Sequence, residues 1–491
     1  MLGWPGRRSL TCRSSVGIFS SASMLVQTPR TLIGRMKFDF SSLPLRNKGF
    51  SDRPMAFVDP EPRAMLTAIA EMALIETGSP TPREHWQKAQ LRNLFTHARQ
   101  RSSFWQKRLG SKKLSDVKLT SLPVLTRQDV LQQVGSEGPL LQARDGISTK
   151  SHETSGSSGT PVRFYISEIN ARYNAARSLA QYFMEDWDLS LNRTYLKRGS
   201  KYGFSVEKSQ SWMGPMAELI KSGGNKNIEY LNPNIKELIK ELVKEEIGYL
   251  VCNPYLLETI FDLADPVFLT QAKTRMWISV GESVSQDLKI TFSDLAIPIR
   301  SNYSSEEVGL IGYECGIHSG HYHAVTSNVI VEVVDTSYDV DGARLGKVLV
   351  THLHSYATPF IRYDLGDLAC LRQDCPCGHE GPTIYNLHGR LSRVLRHGDG
   401  RISPFHIRGQ ELAALADFTE YRIRQTELGK IVIAIGGRSE LSAEEIAGLT
   451  AFLKARSGPE FEIEVKACEH IDWGQSRKRH AFTSDLVSDR S

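Results

Sequence analysis

The sequence predicts an α/β fold: a large N-terminal body of several subdomains, followed by a small α+β unit. Three observations predict it. The chain has 491 residues, and single hydrophobic cores stop growing at about 250–300 residues. Short β-branched or aromatic runs alternate with amphipathic stretches, the pattern of a largely parallel sheet with helices between its strands. Residues 391–491 then carry a strand, strand, helix, strand order of their own.

Taken in order, residues 1–36 contain Arg7, Arg8, Arg13, Arg30 and Arg35 but no Asp or Glu. Such a Ser- and Arg-rich leader fits a mitochondrial transit peptide. An over-extended start, with Met24 or Met36 as the first residue, fits it too, and on either reading the segment is expected outside the fold. Setting it aside leaves 55 basic against 55 acidic residues, so no global charge favours a nucleic-acid or membrane partner. No uncharged apolar run reaches the roughly 18 residues of a membrane-spanning helix. The seven cysteines are odd in number and scattered, which argues against a disulfide framework and for a reducing compartment. The expected location is the cytoplasm, or the mitochondrial matrix if the leader is a transit peptide.

Residues 37–80 show no clear pattern. From Glu84 to Leu109 a helix is expected, with Leu91, Leu94, Phe95, Ala98, Phe104 and Trp105 at roughly helical spacing. Thr126 can cap the next helix, with Asp129 completing a capping box. Ala171–Trp187 reads as a helix, and Ile235, Leu238, Ile239, Leu242 and Val243 form an apolar stripe on another. Strands are expected at Tyr249–Cys252, Thr274–Val280, Pro298–Asn302, Val329–Val334 and Lys347–Thr351. The later strands lack intervening helices, which suggests a β-rich subdomain at about 320–390. A domain boundary is expected near 390–396. Beyond it come strands Tyr421–Gln425 and Ile431–Ile435, a helix Ala443–Arg456 and a strand Glu460–Lys466. There are no internal repeats.

The most informative short segment is Thr154-Ser-Gly-Ser-Ser-Gly-Thr-Pro161. Such a turn is rich in backbone N–H and hydroxyl donors, and glycine lets the backbone approach phosphate oxygen closely. It lacks the lysine of a Walker loop. A flexible Ser/Gly linker has the same composition.

This segment resembles the phosphate loop of the adenylate-forming superfamily, which includes acyl-CoA synthetases, peptide-synthetase adenylation domains and luciferases. Further motifs follow in order. Ser279-Val-Gly-Glu282 resembles the segment lining the adenine pocket. Asn302-Tyr-Ser-Ser-Glu-Glu-Val-Gly309 resembles the Tyr-Gly-x-x-Glu motif, and Pro359-Phe-Ile-Arg-Tyr-Asp-Leu-Gly-Asp367 the Tyr-x-x-Gly-Asp motif. Gly389-Arg390 resembles the opening of the hinge, and Ser476-Arg-Lys478 lies where the C-terminal catalytic lysine belongs. Glu314-Cys315, the phrase ending in Asp367 and Cys375-Pro-Cys-Gly378 resemble the phenylacetate–CoA ligase-like branch.

The resemblance implies an N-terminal adenylation domain over 37–390 and a mobile C-terminal lid over 391–491. It implies roles as well. Donors of Thr154, Ser155, Gly156, Ser157, Ser158, Gly159 and Thr160 would hold pyrophosphate. Gly281 and Glu282 would line the nucleotide pocket, Tyr303 would stack on adenine with Ser304 beside it, and Asp367 would accept hydrogen bonds from the ribose diol with Arg390 nearby. Glu307 would hold Mg²⁺, a hard cation that takes one or two carboxylates. Lys478 would neutralise charge on the carboxylate and α-phosphate in the transition state, which requires the lid to close. Each residue has a plainer reading: Asp367 as a turn residue, Lys478 as solvated surface, Tyr303 as a core aromatic. Their joint order along the chain argues for the site. Departures from the family pattern are Ser304 in place of Gly, Glu306 in place of Thr, and Ser392 and Arg393 where acidic residues usually follow the hinge. Glu306 adds negative charge near phosphate.

Cys315, His323, Cys375 and Cys377 have the chemistry of a tetrahedral structural zinc, and many members of the resembled branch carry a Cys/His site here. His318 and His321 are competing ligands. His323 is preferred because it precedes the strand run Val329–Val334. Cys370 reads as a strand residue, while His352, His354, His379 and His388 read as loop caps or solvated groups.

The expected activity is an ATP-dependent acid–thiol ligase, AMP-forming, with ATP, Mg²⁺, CoA and structural Zn²⁺. By resemblance its substrate is an aryl or arylacetic acid. An amine or carrier-protein acceptor is the alternative, as is a non-catalytic nucleotide-binding homologue in which Glu306 disables turnover. The expected partners are thus a small carboxylic acid and CoA or a carrier thiol, with a homodimer as a further expectation.

Overall fold

The computed structural model describes residues 60–133, 149–154, 162–199, 201–217, 219–282, 284–340, 342–390, 393–405, 407, 409–473 and 481–486. Ser155, Gly156, Ser157, Ser158, Gly159, Thr160 and Lys478 lie outside the described residues.

Three helices come first: α1 (Pro60–Thr77), α2 (Pro80–Arg101) and α3 (Ser103–Leu109). The first falls where the sequence looked featureless. It buries Met65, Ala68, Ile69, Met72 and Ala73, a true helical stripe, but Leu74 on its open side blurs the period. The single helix expected over Glu84–Leu109 is two. Ser102 adopts an extended conformation (φ −135°, ψ 116°) and its side chain accepts from the Trp105 N–H, because serine caps a helix better than it continues one. The expected capping box opens α4 (Arg127–Gln133): the Thr126 N–H and hydroxyl donate to Asp129 Oδ2 (2.9 and 3.0 Å), and the Asp129 N–H donates to Thr126 Oγ1 (3.1 Å). β1 (Thr149–Glu153) and β2 (Arg163–Ser167) pair antiparallel, and α5 (Glu168–Met184) follows.

The central sheet comprises β3 (Arg193–Arg198), β4 (Gly203–Ser209), β5 (Asn225–Leu231), β6 (Gly248–Cys252), β7 (Thr274–Ser279), β8 (Ile299–Ser305), β9 (Gly309–Glu314), β10 (Tyr322–Ala324), β11 (Val329–Val340), β12 (Ala343–His352), β13 (Tyr363–Asp374) and β14 (Glu380–Arg390). Its order is β11-β12-β13-β14-β10-β9-β8-β7-β6-β3-β5-β4. Only β5, β3, β6, β7 and β8 run mutually parallel; the remaining pairings are antiparallel. The largely parallel sheet expected from the sequence is therefore corrected to a mixed one. A parallel pair needs a crossover of about a dozen residues, and the turns from β8 to β9 and from β13 to β14 are much shorter. The β-rich stretch at 320–390 is the antiparallel half of this same sheet.

Between the parallel strands lie α6 (Ile235–Leu242), α7 (Pro254–Phe261), α8 (Phe268–Gln271) and α9 (Gln286–Asp294). They close a core around Leu238, Leu250, Leu257, Trp277 and Phe292. A second core, around Phe95, Trp105, Phe164, Ile311 and Phe360, joins the N-terminal helices to the antiparallel half.

The C-terminal part has β15 (Val394–Arg396) and β16 (Ile402–Pro404), α10 (Gly409–Ala413), β17 (Glu420–Glu427), β18 (Lys430–Gly436), α11 (Ala443–Ser457), β19 (Glu462–Cys468) and β20 (Phe482–Ser484). Its four-stranded sheet runs β19-β18-β17-β20 around Ile423, Ile433, Leu449, Leu453 and Phe461. The three residues of β20 were too few to read from sequence. Among the described residues no helix is long and apolar enough to cross a membrane.

Candidate active site

In open α/β sheets ligands bind outside the carboxyl ends of parallel strands. Here those ends carry Gly281 and Glu282 just after β7, and Tyr303 to Glu307 at the end of β8. Glu282 and Ser304 are exposed, Gly281 has φ +84°, and Tyr303 is buried. β13 brings Asp367 to the same place. The Tyr303 hydroxyl donates to Asp367 Oδ2 at 2.6 Å, joining residues 64 apart in sequence. Arg390, the last residue of β14, faces Asp367 across the ladder. Burial pushes the Asp367 carboxyl above its usual range, while the Tyr303 hydroxyl and the charges of Arg390 and Arg393 pull it back. Burial lowers Arg393; the nearby charges of Glu282 and Asp367 oppose that, and Arg390 reinforces it. Glu282, Tyr303, Asp367 and Arg390, drawn from four separate motifs, are thus brought together.

Glu307 sits in the three-residue turn between β8 and β9. Gly309 follows at φ +71°, the left-handed position that ends such turns. Glu307 is 5% exposed while neighbouring Glu306 is exposed. Its Oε1 accepts from the Tyr363 hydroxyl at 3.2 Å. Burial and then the Glu307 charge hold that phenol well above its ordinary value, while Arg127 and Arg390 act against them. Arg127 was missed in the sequence. Its signal is a cation at the first residue of a helix, where the dipole disfavours one. It reaches the site because the strand-like pairing of Leu125 with Tyr363 lays the preceding segment along β13.

Thr154 closes the neck of the glycine-hydroxyl loop. Its N–H donates to the Val162 carbonyl and its Oγ1 accepts from the Val162 N–H, both at 2.9 Å.

In a second cluster, Cys315 just after β9, His323 on β10, and Cys375 and Cys377 in the β13–β14 turn place four ligand atoms within 4.8 Å of one another. Cys315 Sγ and Cys375 Sγ are 3.9 Å apart, and Cys377 Sγ is 3.4 Å from His323 Nε2. Tetrahedral zinc with Zn–S bonds of about 2.3 Å has S···S edges of about 3.8 Å, so the residues present fit the ion. The N–H groups of Ile317 and His318 point at Cys315 Sγ (3.4 and 3.3 Å). His321 Nδ1 lies 3.6 Å from Cys375 Sγ, beside the cluster. His379 stacks on His323 at 4.1 Å.

The reading of His352 and His354 as loop caps or solvated groups is corrected. Both are buried, at 0% and 4% exposure. Neither ring nitrogen of His352 has a hydrogen-bond partner among the described residues, and His354 Nδ1 lies 2.8 Å from Arg177 Nη2. His388 lies on β14.

No protein-family model matches the chain, and no curated protein matches its sequence. Solved structures do match its fold. 2-Hydroxyisobutyryl-CoA ligase in the postadenylation state, in complex with 2-HIB-AMP, superposes with a TM-score of 0.60 at 17% identity, covering 84% of this chain and 91% of that one. The same enzyme with 2-HIB-AMP and CoA in the thioesterification state gives 0.56 at 17% identity and the same coverage. Its open conformation gives 0.52 at 16%, covering 82% of this chain and 92% of that one. With its mixed sheet and this likeness over most of both chains, the chain has the α/β fold of the adenylate-forming enzymes.

Proposed function

We propose that the chain is an ATP-dependent carboxylic acid ligase that forms an acyl adenylate and passes the acyl group to CoA. The observation that carries this reading is the Tyr303–Asp367 hydrogen bond at 2.6 Å with Arg390 opposite. It unites three of the ordered motifs at the carboxyl ends of the parallel strands, in a fold shared with a CoA ligase. In the first half-reaction a carboxylate oxygen attacks the α-phosphorus of ATP and pyrophosphate leaves. In the second a thiolate attacks the acyl carbonyl and AMP leaves.

The chain's own groups serve these steps by position and charge. Tyr303 offers its ring to adenine while its hydroxyl orients Asp367, whose remaining lone pairs suit the ribose diol. Arg390 steadies Asp367. Residues 154–160 supply donors to the departing pyrophosphate, and Lys478 supplies charge to the reacting carboxylate. Glu307 would hold Mg²⁺, which neutralises phosphate charge when bound. Cys315, His323, Cys375 and Cys377 would hold a structural zinc apart from the reaction. The acid, by likeness to phenylacetate–CoA ligases, is aryl or arylacetic.

The test is acid-dependent ATP–pyrophosphate exchange across a panel of aryl, arylacetic and aliphatic acids. Exchange with arylacetic acids and a CoA thioester seen by mass spectrometry are expected. ATP binding without exchange for every acid would make the chain a nucleotide-binding homologue. Acylated protein or amine in place of the thioester would reassign the acceptor.

A further inference from the structure

The turn that carries Glu307 is gripped from behind by a buried polar network that the proposed reaction does not use. Asn328, fully buried, donates through Nδ2 to the carbonyls of Val308 (2.8 Å) and Leu310 (2.6 Å). Those two residues flank Gly309, where a Cβ would lie 3.2 Å from Asn174 Oδ1 on α5. Asn174 Oδ1 accepts from Arg177 Nη1 at 2.8 Å. Arg177 Nη2 donates to the Ser327 carbonyl at 3.2 Å and faces His354 Nδ1 at 2.8 Å. One guanidinium, 1% exposed, therefore ties together Asn174, which faces the Cα of Gly309 closely enough to leave little room for a side chain there, and Ser327, the residue before Asn328. From α1, Glu76 accepts from the Ser327 N–H (2.6 Å) and from the Thr326 N–H and hydroxyl (3.2 and 3.0 Å). Ser327 is held between a carboxylate on its N–H and a guanidinium on its carbonyl. A core that needed only filling would use an apolar side chain, because burying a charge is costly.

We propose that Arg177 and Asn328 are positioning residues for the Glu307 turn: they fix the backbone from Val308 to Leu310 and so aim the Glu307 carboxylate. The proposal rests on the reading of Glu307 as the cation-holding group, and it acts through the turn rather than by contact with substrate.

The test compares Asn328→Ala, Asn328→Asp and Arg177→Met with Gln87→Ala. Gln87 Nε2 donates to the Thr326 and Val329 carbonyls, so it anchors the same loop without touching the turn. In the unliganded chain, hydrogen exchange over 304–312 is expected to quicken about tenfold or more in the first three variants and to stay unchanged in Gln87→Ala. The Mg²⁺ concentration for half-maximal ATP–pyrophosphate exchange is expected to rise about tenfold, while the rate at saturating Mg²⁺ falls less than about threefold. Asn328→Asp, which keeps the shape but loses the donor, should be as damaging as Asn328→Ala. Unchanged exchange at the turn overturns the proposal, as do equal shifts in a Gln87→Ala protein of matched unfolding midpoint. If Arg177→Met fails to fold, the Asn328 variants decide. Should the wild-type chain catalyse no exchange with any acid, the functional reading falls, and hydrogen exchange alone decides whether these residues hold the turn.

Discussion

Tyr303 and Asp367 show how a single hydroxyl can hold a carboxylate, here the group proposed to bind the ribose. Removing it leaves an oxygen of a half-buried carboxylate without its donor. Tyr303→Phe is expected to cost about 1–3 kcal/mol of stability, read from denaturant midpoints, and to raise KM for ATP more than it lowers kcat. Unaltered ATP affinity would separate Tyr303 and Asp367 from the nucleotide. His354 gives the chain a pH dependence. Burial, and then the Arg177 charge, hold it down to about 3, and a nitrogen facing a guanidinium must be the unprotonated acceptor. The folded chain keeps this ring neutral, so its contribution to stability is full above the unfolded value of about 6.5 and is lost as pH falls toward about 3, at up to about 1.4 kcal/mol per pH unit. His352, also held well below its ordinary value by burial, works in the same direction. His354→Gln should therefore flatten the fall in stability between pH 7 and pH 5. A variant whose stability falls as steeply as the wild type would refute this.

At the scale of elements, the cluster of Cys315, His323, Cys375 and Cys377 draws on β9, β10 and the β13–β14 turn, and β10 pairs with its neighbours β9 and β14 through only three and two positions. Chelation is expected to lower the unfolding midpoint by about 3 °C or more, and zinc to restore it; Cys375→Ser should lose the response. A midpoint indifferent to chelator, with no zinc by elemental analysis, would leave the four groups as plain thiols and imidazole. The ligand chemistry was visible in the sequence, but the ground for choosing His323 was only approximate: it stands on its own short strand, β10, rather than leading into β11. The capping box at Thr126 and Asp129 was readable because it depends on neighbours in sequence. The break at Ser102 and the stripe of α1 were not, since one residue's preference and an exposed Leu74 decide them. The mixed character of the sheet was hidden for another reason: strand direction follows from turn length, which single strands do not reveal.

Across the whole molecule, the ordered motifs made Glu282, Tyr303, Asp367 and Arg390 legible as a set, whereas Arg127, Arg177 and Asn328 carry no motif and gain meaning only from folding. Lys478 is the most distant of the proposed groups in sequence. Lys478→Ala is expected to slow adenylation by a factor of about 100 or more while leaving ATP affinity largely intact, measured by pyrophosphate exchange and calorimetry. Loss of the thiol step alone would show that its role was misassigned. The rung formed by Asp367 and Arg390 has a consequence for timing. Arg390 is the final residue of β14, so under the role proposed for Asp367 a bound sugar would sit at the end pair of the β13–β14 ladder, where the chain leads on to its C-terminal part. On the proposed function, nucleotide occupancy would therefore bear on the very strand end that leads into the C-terminal part, and release of one would bear on the freedom of the other.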